Sequence, residues 1–429
     1  ALPIVMSHMG HMVASIADSI MSGQLGELSL AAVGLSVTIY ALFALFGIGL
    51  VSGLTPLVAK ADGEKNEEEK RSLFKHSLIM SVVAGLILSA AMICIIPFMG
   101  YMGQSMEVVS KAKPYYIILA STIFFSLIFF HFKQFGEGIH IVKTTMWINI
   151  WGNLLNVFLN FVFLKGWFGM PQMGITGIGL ATFISRAIML AALILRFRKS
   201  RMRPYMDAYS SVTFQYDRLK NLFINCIPIA FQYIIEMSAF SVGAIMTGWF
   251  GSSSLAAHHI AINIISITYL IAAGIGAATS VIVGNGYGEK DMEKIKLANS
   301  KSTVMVILIM GCLALLTFMA NSLLPSLYLD NVGVIEIASK LLIIAALFQL
   351  FDGYQVVGLG VLRGINDLKT PTYIAALSYW IVTIPACYIL AVVYDLKAVG
   401  VWYGFLLGLL ISSSLIYLRI RNRMKLMHS

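Results

Sequence analysis

The sequence predicts an all-α integral membrane protein with twelve transmembrane helices, arranged as two parallel-repeat six-helix bundles. Three observations carry this reading: the apolar composition, the placement of basic residues, and an internal repeat. Hydrophobic residues make up 59% of the 429 residues and charged ones only 12%. The mean hydropathy is +0.84. A water-soluble chain of this length could not bury so much apolar surface, so lipid must solvate much of it.

Twelve apolar spans are readable, at 3–24, 30–59, 75–98, 114–135, 144–164, 174–196, 221–249, 255–284, 302–326, 338–361, 371–393 and 398–418. Most match or exceed the roughly 20 helical residues that cross a bilayer, and the longer ones fit if tilted. Basic residues then set the orientation. One group is Lys60, Lys65, Lys70, Arg71 and Lys75; another runs from Arg196 to Lys220. Lys290, Lys294, Lys296 and Lys301 form a third, and Arg419, Arg421, Arg423 and Lys425 a fourth. With Lys133, Lys143, Arg363 and Lys369, they place 24 of the 30 basic residues on one side. Only Lys111, Lys113, Lys165, Lys340 and Lys397 fall on the other, and Arg186 lies within span six. Such asymmetry marks the rich side as cytoplasmic, with both termini there, in a multi-pass protein of the cell (inner) membrane. The net charge of +10 is therefore topology, and no nucleic-acid partner is expected. The chain opens on Ala1 and enters a helix at once, so a preceding tail is expected and targeting signals are not read.

Residues 1–65 and 226–290 are one sequence written twice, ungapped, at an offset of 225. Pro3-Ile4 matches Pro228-Ile229, Leu30-Ala31-Ala32 matches Leu255-Ala256-Ala257, and Gly63-Glu64-Lys65 matches Gly288-Glu289-Lys290. Farther on, Gly138-Ile139 with Lys143-Thr144 echoes Gly364-Ile365 with Lys369-Thr370 at 226, and near the end of each half the offset falls to 223. Six spans per unit is an even number, so both copies enter the membrane in the same sense. The expected organisation is an N-terminal lobe over 1–196, a cytoplasmic linker over 197–220 and a C-terminal lobe over 221–429.

Ionisable groups inside lipid are costly and point to function. Three acids qualify: Asp18, Glu236 and Asp352. On the first span His8, His11, Ser15, Asp18 and Ser22 follow steps of three and four, forming one stripe. The repeat maps them to Tyr233, Glu236, Phe240, Gly243 and Thr247. Gln232 lies one turn before Glu236, and Gln349, Asp352 and Gln355 share one side of span ten. Span five adds Asn153, Asn156 and Asn160. Single serines and asparagines read as interhelical hydrogen-bond glue; the three acids read as functional. His258-His259 is expected to open the eighth helix in a capping or interfacial role. Arg186 either pairs with an acid or snorkels. Cys94, Cys226, Cys312 and Cys387 sit in apolar runs and read as packing residues. No Gly-x-x-x-x-Gly-Lys-[Ser/Thr], His-Glu-x-x-His or Gly-x-Ser-x-Gly occurs, so ATP-driven transport and hydrolytic catalysis find no motif. An enzyme is not expected, and transport would draw on an ion gradient.

The run Leu255-Ala256-Ala257-His258-His259-Ile260-Ala261-Ile262-Asn263 resembles a signature of multidrug and toxic compound extrusion (MATE) transporters. So do Asp352-Gly353-Tyr354-Gln355, Gly360-Val361-Leu362-Arg363-Gly364 and Asp367-Leu368-Lys369-x-Pro371. Tyr379-Trp380, Pro385, Asp18-Ser19-Ile20-Met21-Ser22-Gly23 and Thr55-Pro56-Leu57-Val58-Ala59 are similar too. Glu236 and Asp352 point to the NorM-like branch. The resemblance implies the MATE/MOP-type fold, two lobes around a V-shaped cavity, and alternating access. It implies a monomer among membrane lipids that exports small cationic or amphipathic drugs in exchange for Na⁺ or H⁺, with no cofactor besides that coupling ion. It makes Glu236, Asp352, Tyr269, Gln232 and Gln355 the C-lobe cation-coupling and substrate residues. By the same resemblance Asp18, Asn156, Asn160 and Thr182 are expected to form an N-lobe cation site, Asn160 standing where some relatives carry Asp. Na⁺ is expected at Glu236 and Asp352, or at Asp18 and Asn156. The alternative reading is a flippase for lipids or lipid-linked precursors in the same superfamily, which would want a more cationic cavity.

Overall fold

A computed structural model describes residues 2–102, 105–207, 209 and 212–427; for 8, 9, 11, 13–16 and 19 it describes the backbone alone. The side chains of His8, His11 and Ser15 therefore lie outside the described residues. No strand occurs among those described, and twelve long helices follow one another. They are α1 Leu2–Gly23, α2 Glu27–Gly63, α3 Glu67–Ile95, α4 Met106–Gly138, α5 Lys143–Lys165 and α6 Gly174–Phe197. Then come α7 Tyr216–Gly248, α8 Ser252–Glu289, α9 Met292–Met319, α10 Val332–Gly364, α11 Thr370–Val393 and α12 Lys397–Leu426. Eleven of them, α2 to α12, contain windows long and apolar enough to cross a bilayer.

Several helices outrun the apolar spans. α3 starts at Glu67 rather than 75, and α9 at Met292 rather than 302. Their first turns are polar, so hydropathy passed over them, but both are capped. Asn66 accepts a hydrogen bond from the Glu69 N–H, and Asp291 accepts one from the Lys294 N–H. Such caps satisfy an orphan donor of the first turn and stabilise it by roughly 1 kcal/mol. α9 ends at Met319, short of the expected 326, where the chain turns before a brief helical turn at Leu323–Ser326.

The repeat is visible in the backbone itself. Gly26 and Gly251, 225 apart, enter α2 and α8 with φ of 94° and 101° and ψ of 168° and 167°. That left-handed conformation favours glycine, which lacks a Cβ. Lys65 and Lys290 share positive φ at offset 225, His140 and Asn366 at 226. The offset of 223 appears where α6 and α12 begin, at Gly174 and Lys397.

Contacts divide the chain into two compact units, Met6–Ala230, and Phe231–Ser429 together with Ala1–Val5. The division falls inside α7, because Leu222, Cys226 and Ala230 pack with Leu50 and Met80 of the first unit. The segment between α6 and α7, together with the first turn of α7, is strapped onto α3. The Tyr205 hydroxyl donates to Glu67 Oε2 (3.0 Å), Arg218 to Glu69 Oε2 (2.7 Å), and the Gln215 N–H to His76 Nε2 (3.1 Å). Each unit has its own core, around Tyr115 and Tyr116 in the first and Trp402 and Phe405 in the second. Large apolar side chains on the outer faces, such as Leu308 and Leu316 of α9, are nonetheless exposed. Lipid is the solvent that accepts them.

In the second unit α8 and α10 cross closely. A Cβ at Gly360 would stand 2.2 Å from the Gly276 carbonyl oxygen. Small residues at such crossings let helix backbones approach. Two turns before this point lie Tyr269 on α8 and Asp352 on α10, so the crossing sets their separation. Gly360→Ala is expected to lower the melting temperature of the detergent-solubilised protein, overpacking of this kind costing about 1–3 kcal/mol. Gly311→Ala on α9, where an added Cβ meets nothing within 4 Å, should leave it unchanged.

Candidate functional site

In the second unit, helical spacing puts Gln232 and Glu236 one turn apart on α7. The structure links them directly: Gln232 Nε2 donates to Glu236 Oε1 at 2.9 Å. Asp352 of α10 lies close enough to Glu236 to feel its charge, and Tyr269 of α8 is in reach of both. Four of the five predicted C-lobe residues thus converge. Gln355 joins through Tyr379, donating to its hydroxyl at 2.8 Å, and Tyr379 is itself within electrostatic reach of Glu236 and Asp352. Gln349 goes elsewhere: it donates to Thr317 of α9 at 3.1 Å and acts as helix glue.

Two members escaped the sequence reading. Arg363, counted there as a loop cation, reaches Gln232 Oε1 (3.3 Å) and the Tyr233 hydroxyl (3.4 Å), and its guanidinium lies 5.4 Å from the Tyr233 ring centroid. Its charge is also felt at Glu236. The signal was present: 363 is eleven residues after 352, about 20° from three full turns of helix. Arg363 is therefore on the Asp352 face. Tyr379 was noted only as a motif residue. It sits where α11 is wound more loosely than an α-helix, with Thr383 Oγ1 donating to the Ser378 carbonyl five residues back. Widened turns of this kind recur at functional sites.

The first unit gathers a different set. Asn160 Nδ2 donates to Asp18 Oδ1, and Asn156 Nδ2 donates to Thr182 Oγ1 at 3.2 Å. Arg186, one turn after Thr182 on α6, is close enough to Asp18 to act on its charge, and Tyr40 and Tyr115 are near as well. Arg186 thus faces the acid. Asn153 donates to Asn149, which donates to Ser7; that pair is glue between α5 and α1. The side-chain oxygens of Asn156 and Asn160 are buried without a hydrogen-bond partner. Such acceptors are costly unless a donor or cation meets them. Removing the acid by Asp18→Asn would take away the carboxylate that offsets the Arg186 charge. Lower thermal stability and a partial loss of transport are expected, measured by melting and by dye efflux.

The repeat has diverged here. Gly243, the counterpart of Asp18, lies against the Phe405 ring, which a Cβ would meet at 2.2 Å. Phe405 itself, at offset 223, is the counterpart of Thr182. Phe240 and Phe405 pack with centroids 4.9 Å apart and their rings tilted by 46°. Aromatic packing therefore fills in the second unit what is polar in the first. His258 belongs to that packing. Contrary to expectation it does not open its helix, since α8 begins at Ser252; it is buried and accepts from Trp402 Nε1 at 3.1 Å.

No group of three or more His, Cys, Asp or Glu among the described residues could hold a metal ion. What both units offer is a carboxylate with neutral oxygens, a donor set suited to a hard cation or a proton.

The MatE family model matches this chain twice, over residues 3–162 and again over 228–389. The chain belongs to the MatE family. The two matches begin 225 residues apart, as the repeat does. Curated relatives align along nearly the whole MatE chain. The probable multidrug resistance protein NorM of Photorhabdus laumondii is 31% identical, over 99% of this chain and 94% of its own length. The multidrug resistance protein NorM of Vibrio cholerae is 30% identical over 95% and 91%. The multidrug resistance protein MdtK of Pectobacterium atrosepticum is 29% identical over 98% and 93%. Among solved structures, a MOP superfamily transporter from Pyrococcus furiosus superposes with a TM-score of 0.91 at 20% identity, covering 100% of the MatE chain and 95% of that one. An outward-facing multidrug resistance MATE family transporter gives 0.91 at 19%, with coverage of 100% and 95%. At those identities the likeness concerns the fold, which is that of a multi-pass MATE/MOP-type membrane protein.

Proposed function

We propose that this protein is a cation-coupled multidrug antiporter of the cytoplasmic membrane, exporting cationic and amphipathic compounds by alternating access between its two units. The observation that carries the reading is the charge balance at Glu236, Asp352 and Arg363. Two carboxylates and one guanidinium leave a single negative charge when all are ionised. A net charge in a lipid-screened site must be neutralised, because an uncompensated buried charge costs several kcal/mol or more. One Na⁺, one H⁺ or one monovalent cationic drug does this equally well. Drug and coupling ion then compete for the same charge, and their competition couples efflux to the inward ion gradient.

Chemistry also suits the ligands. Glu236 with Gln232, and Asp352 with Gln355 and the hydroxyls of Tyr269 and Tyr379, supply several oxygens for Na⁺. A proton needs only one carboxylate. The tyrosine faces favour an organic cation, a contact of about 0.5–2 kcal/mol each. In the first unit Arg186 already balances Asp18, so we assign the main coupling role to the second. A cluster with net negative charge disfavours the phosphate that a flippase must hold. The N- and C-termini are assigned to the cytoplasm by the basic-residue asymmetry, and the protein is assigned as a monomer.

Expression in bacteria lacking their own efflux pumps tests the function. Cells carrying the protein should accumulate several-fold less of a cationic dye than cells carrying the Glu236→Gln, Asp352→Asn double variant. Equal accumulation at equal membrane expression would overturn the proposal.

A further inference from the structure

Away from the acidic cluster, a furrow of about 640 Å³ opens on the second unit between α9 and α12, with Tyr354 of α10 at its floor. Its walls follow from helix geometry. On α9, Lys296, Ser300 and Val304 succeed one another at four-residue steps; on α12, Tyr417, Arg421 and Lys425 do the same. Residues four apart lie one above another on a helix face, so each helix turns one continuous strip to the furrow. α9 begins and α12 ends at the same membrane face, the basic one. The three cations therefore meet at that rim, while Tyr417 and Val304 lie deeper. Among the described residues no acid lines the furrow.

The cations of α12 divide their labour. Arg419 and Arg423 point to Asp367, at 2.7 and 3.6 Å from its Oδ2. Arg421 and Lys425 are two positions on, about 200° around the helix, and line the furrow instead. Deeper along both helices the flanking surface is apolar and exposed: Val304 and Leu308 on α9, Leu418 on α12. A ligand here must be anionic and hydroxyl-accepting at one end and hydrocarbon at the other.

We propose that this furrow binds an anionic phospholipid of the basic-side leaflet, its phosphate held by Lys296, Arg421 and Lys425 and its acyl chains lying along α9 and α12. Basic recesses between membrane helices on the cytoplasmic side bind anionic headgroups by this combination of charge and apolar flank. The site is separate from the drug cluster. Its occupancy would tie α9 and α12 together across α10, the helix that carries Asp352 and Arg363.

Native mass spectrometry of the full-length protein, with phosphatidylglycerol or phosphatidylcholine added in detergent, tests this without any transport assay. Wild type should retain phosphatidylglycerol under activation that strips phosphatidylcholine. The K296Q/R421Q/K425Q variant should lose roughly tenfold of that retention, and the R71Q/K199Q variant, changed at other basic-side positions, should keep it. Equal retention of the two lipids, or equal loss in both variants, would overturn the proposal. Displacement of the lipid by millimolar inorganic phosphate would overturn it too, since the site would then hold a free anion. Should the triple variant fail to fold, the single variant Lys425→Gln is read by melting. Phosphatidylglycerol should raise its melting temperature less than it raises that of wild type, and an equal rise would count against the site.

Discussion

Replacing Glu236 by Gln, or Asp352 by Asn, is expected to lower ion-driven export of a cationic dye by roughly a hundredfold, equivalent to about 2.7 kcal/mol at 1.36 kcal/mol per tenfold. Each amide keeps the volume of the acid and much of its hydrogen bonding. In Glu236→Gln the amide oxygen could still accept from Gln232, as the Glu236 carboxylate does at 2.9 Å. What the variant loses is the charge. With one acid gone, the formal charges of the site sum to zero, and neither drug nor coupling ion is needed to neutralise it. The protein should therefore insert and melt normally while failing to couple. Membrane yield, melting temperature and dye efflux measured on the same preparation separate these effects; wild-type efflux in both variants would remove the acids from the mechanism.

The second large effect concerns Arg363. Arg363→Gln should leave two acids facing each other with no fixed counter-charge. Arg363 reaches Glu236 through Gln232 and offsets its charge. Removing such a buried counter-charge costs about 2–5 kcal/mol, so a clear fall in melting temperature is expected along with loss of efflux. The double variant Arg363→Gln, Glu236→Gln restores the charge balance to one acid. Its stability should recover towards wild type while efflux stays low, giving a strongly non-additive cycle. Additive losses of stability would mean that Arg363 does not act on Glu236 through Gln232. Arg363→Lys keeps the charge but not the planar fork that reaches both Gln232 and Tyr233; partial recovery is expected.

The fold was largely legible in the sequence because the bilayer imposes a length and an apolar composition on each crossing, and because duplication wrote the pattern twice. Helix ends were less legible. Where α3 and α9 leave the lipid they continue through polar turns held by Asn66 and Asp291, and hydropathy alone is blind to such turns. The acids of the site stood out because charge is rare in an apolar run. Their partners did not. Arg363 looked like a loop cation, since apolar windows stop near it and only the helical extension to Gly364 carries it onto the Asp352 face. Tyr379 stood out only as part of a motif and Tyr115 not at all, because tyrosine serves packing as readily as coordination. The contrast between Asp18 and Gly243 could be read by alignment. What fills the space beside Gly243, the ring of Phe405, needed the fold.

Under the proposed function, that contrast gives the duplication its sense. One unit keeps Asp18, Asn156, Asn160 and Thr182 on one level, with Arg186 beside the acid. The other fills the equivalent level with Phe240 and Phe405 and places its acids nearer to Gln232 and Arg363. Two copies of one scaffold thus present one balanced and one unbalanced charge cluster. An unbalanced cluster is the one that demands an exchangeable cation.

The most direct test of that claim uses purified protein in sealed proteoliposomes loaded with a cationic dye, with Na⁺ and H⁺ gradients imposed separately. One of the two gradients should drive dye movement against its concentration, in wild type and not in Glu236→Gln or Asp352→Asn. Dye movement indifferent to both gradients, or driven equally well in the amide variants, would contradict the account.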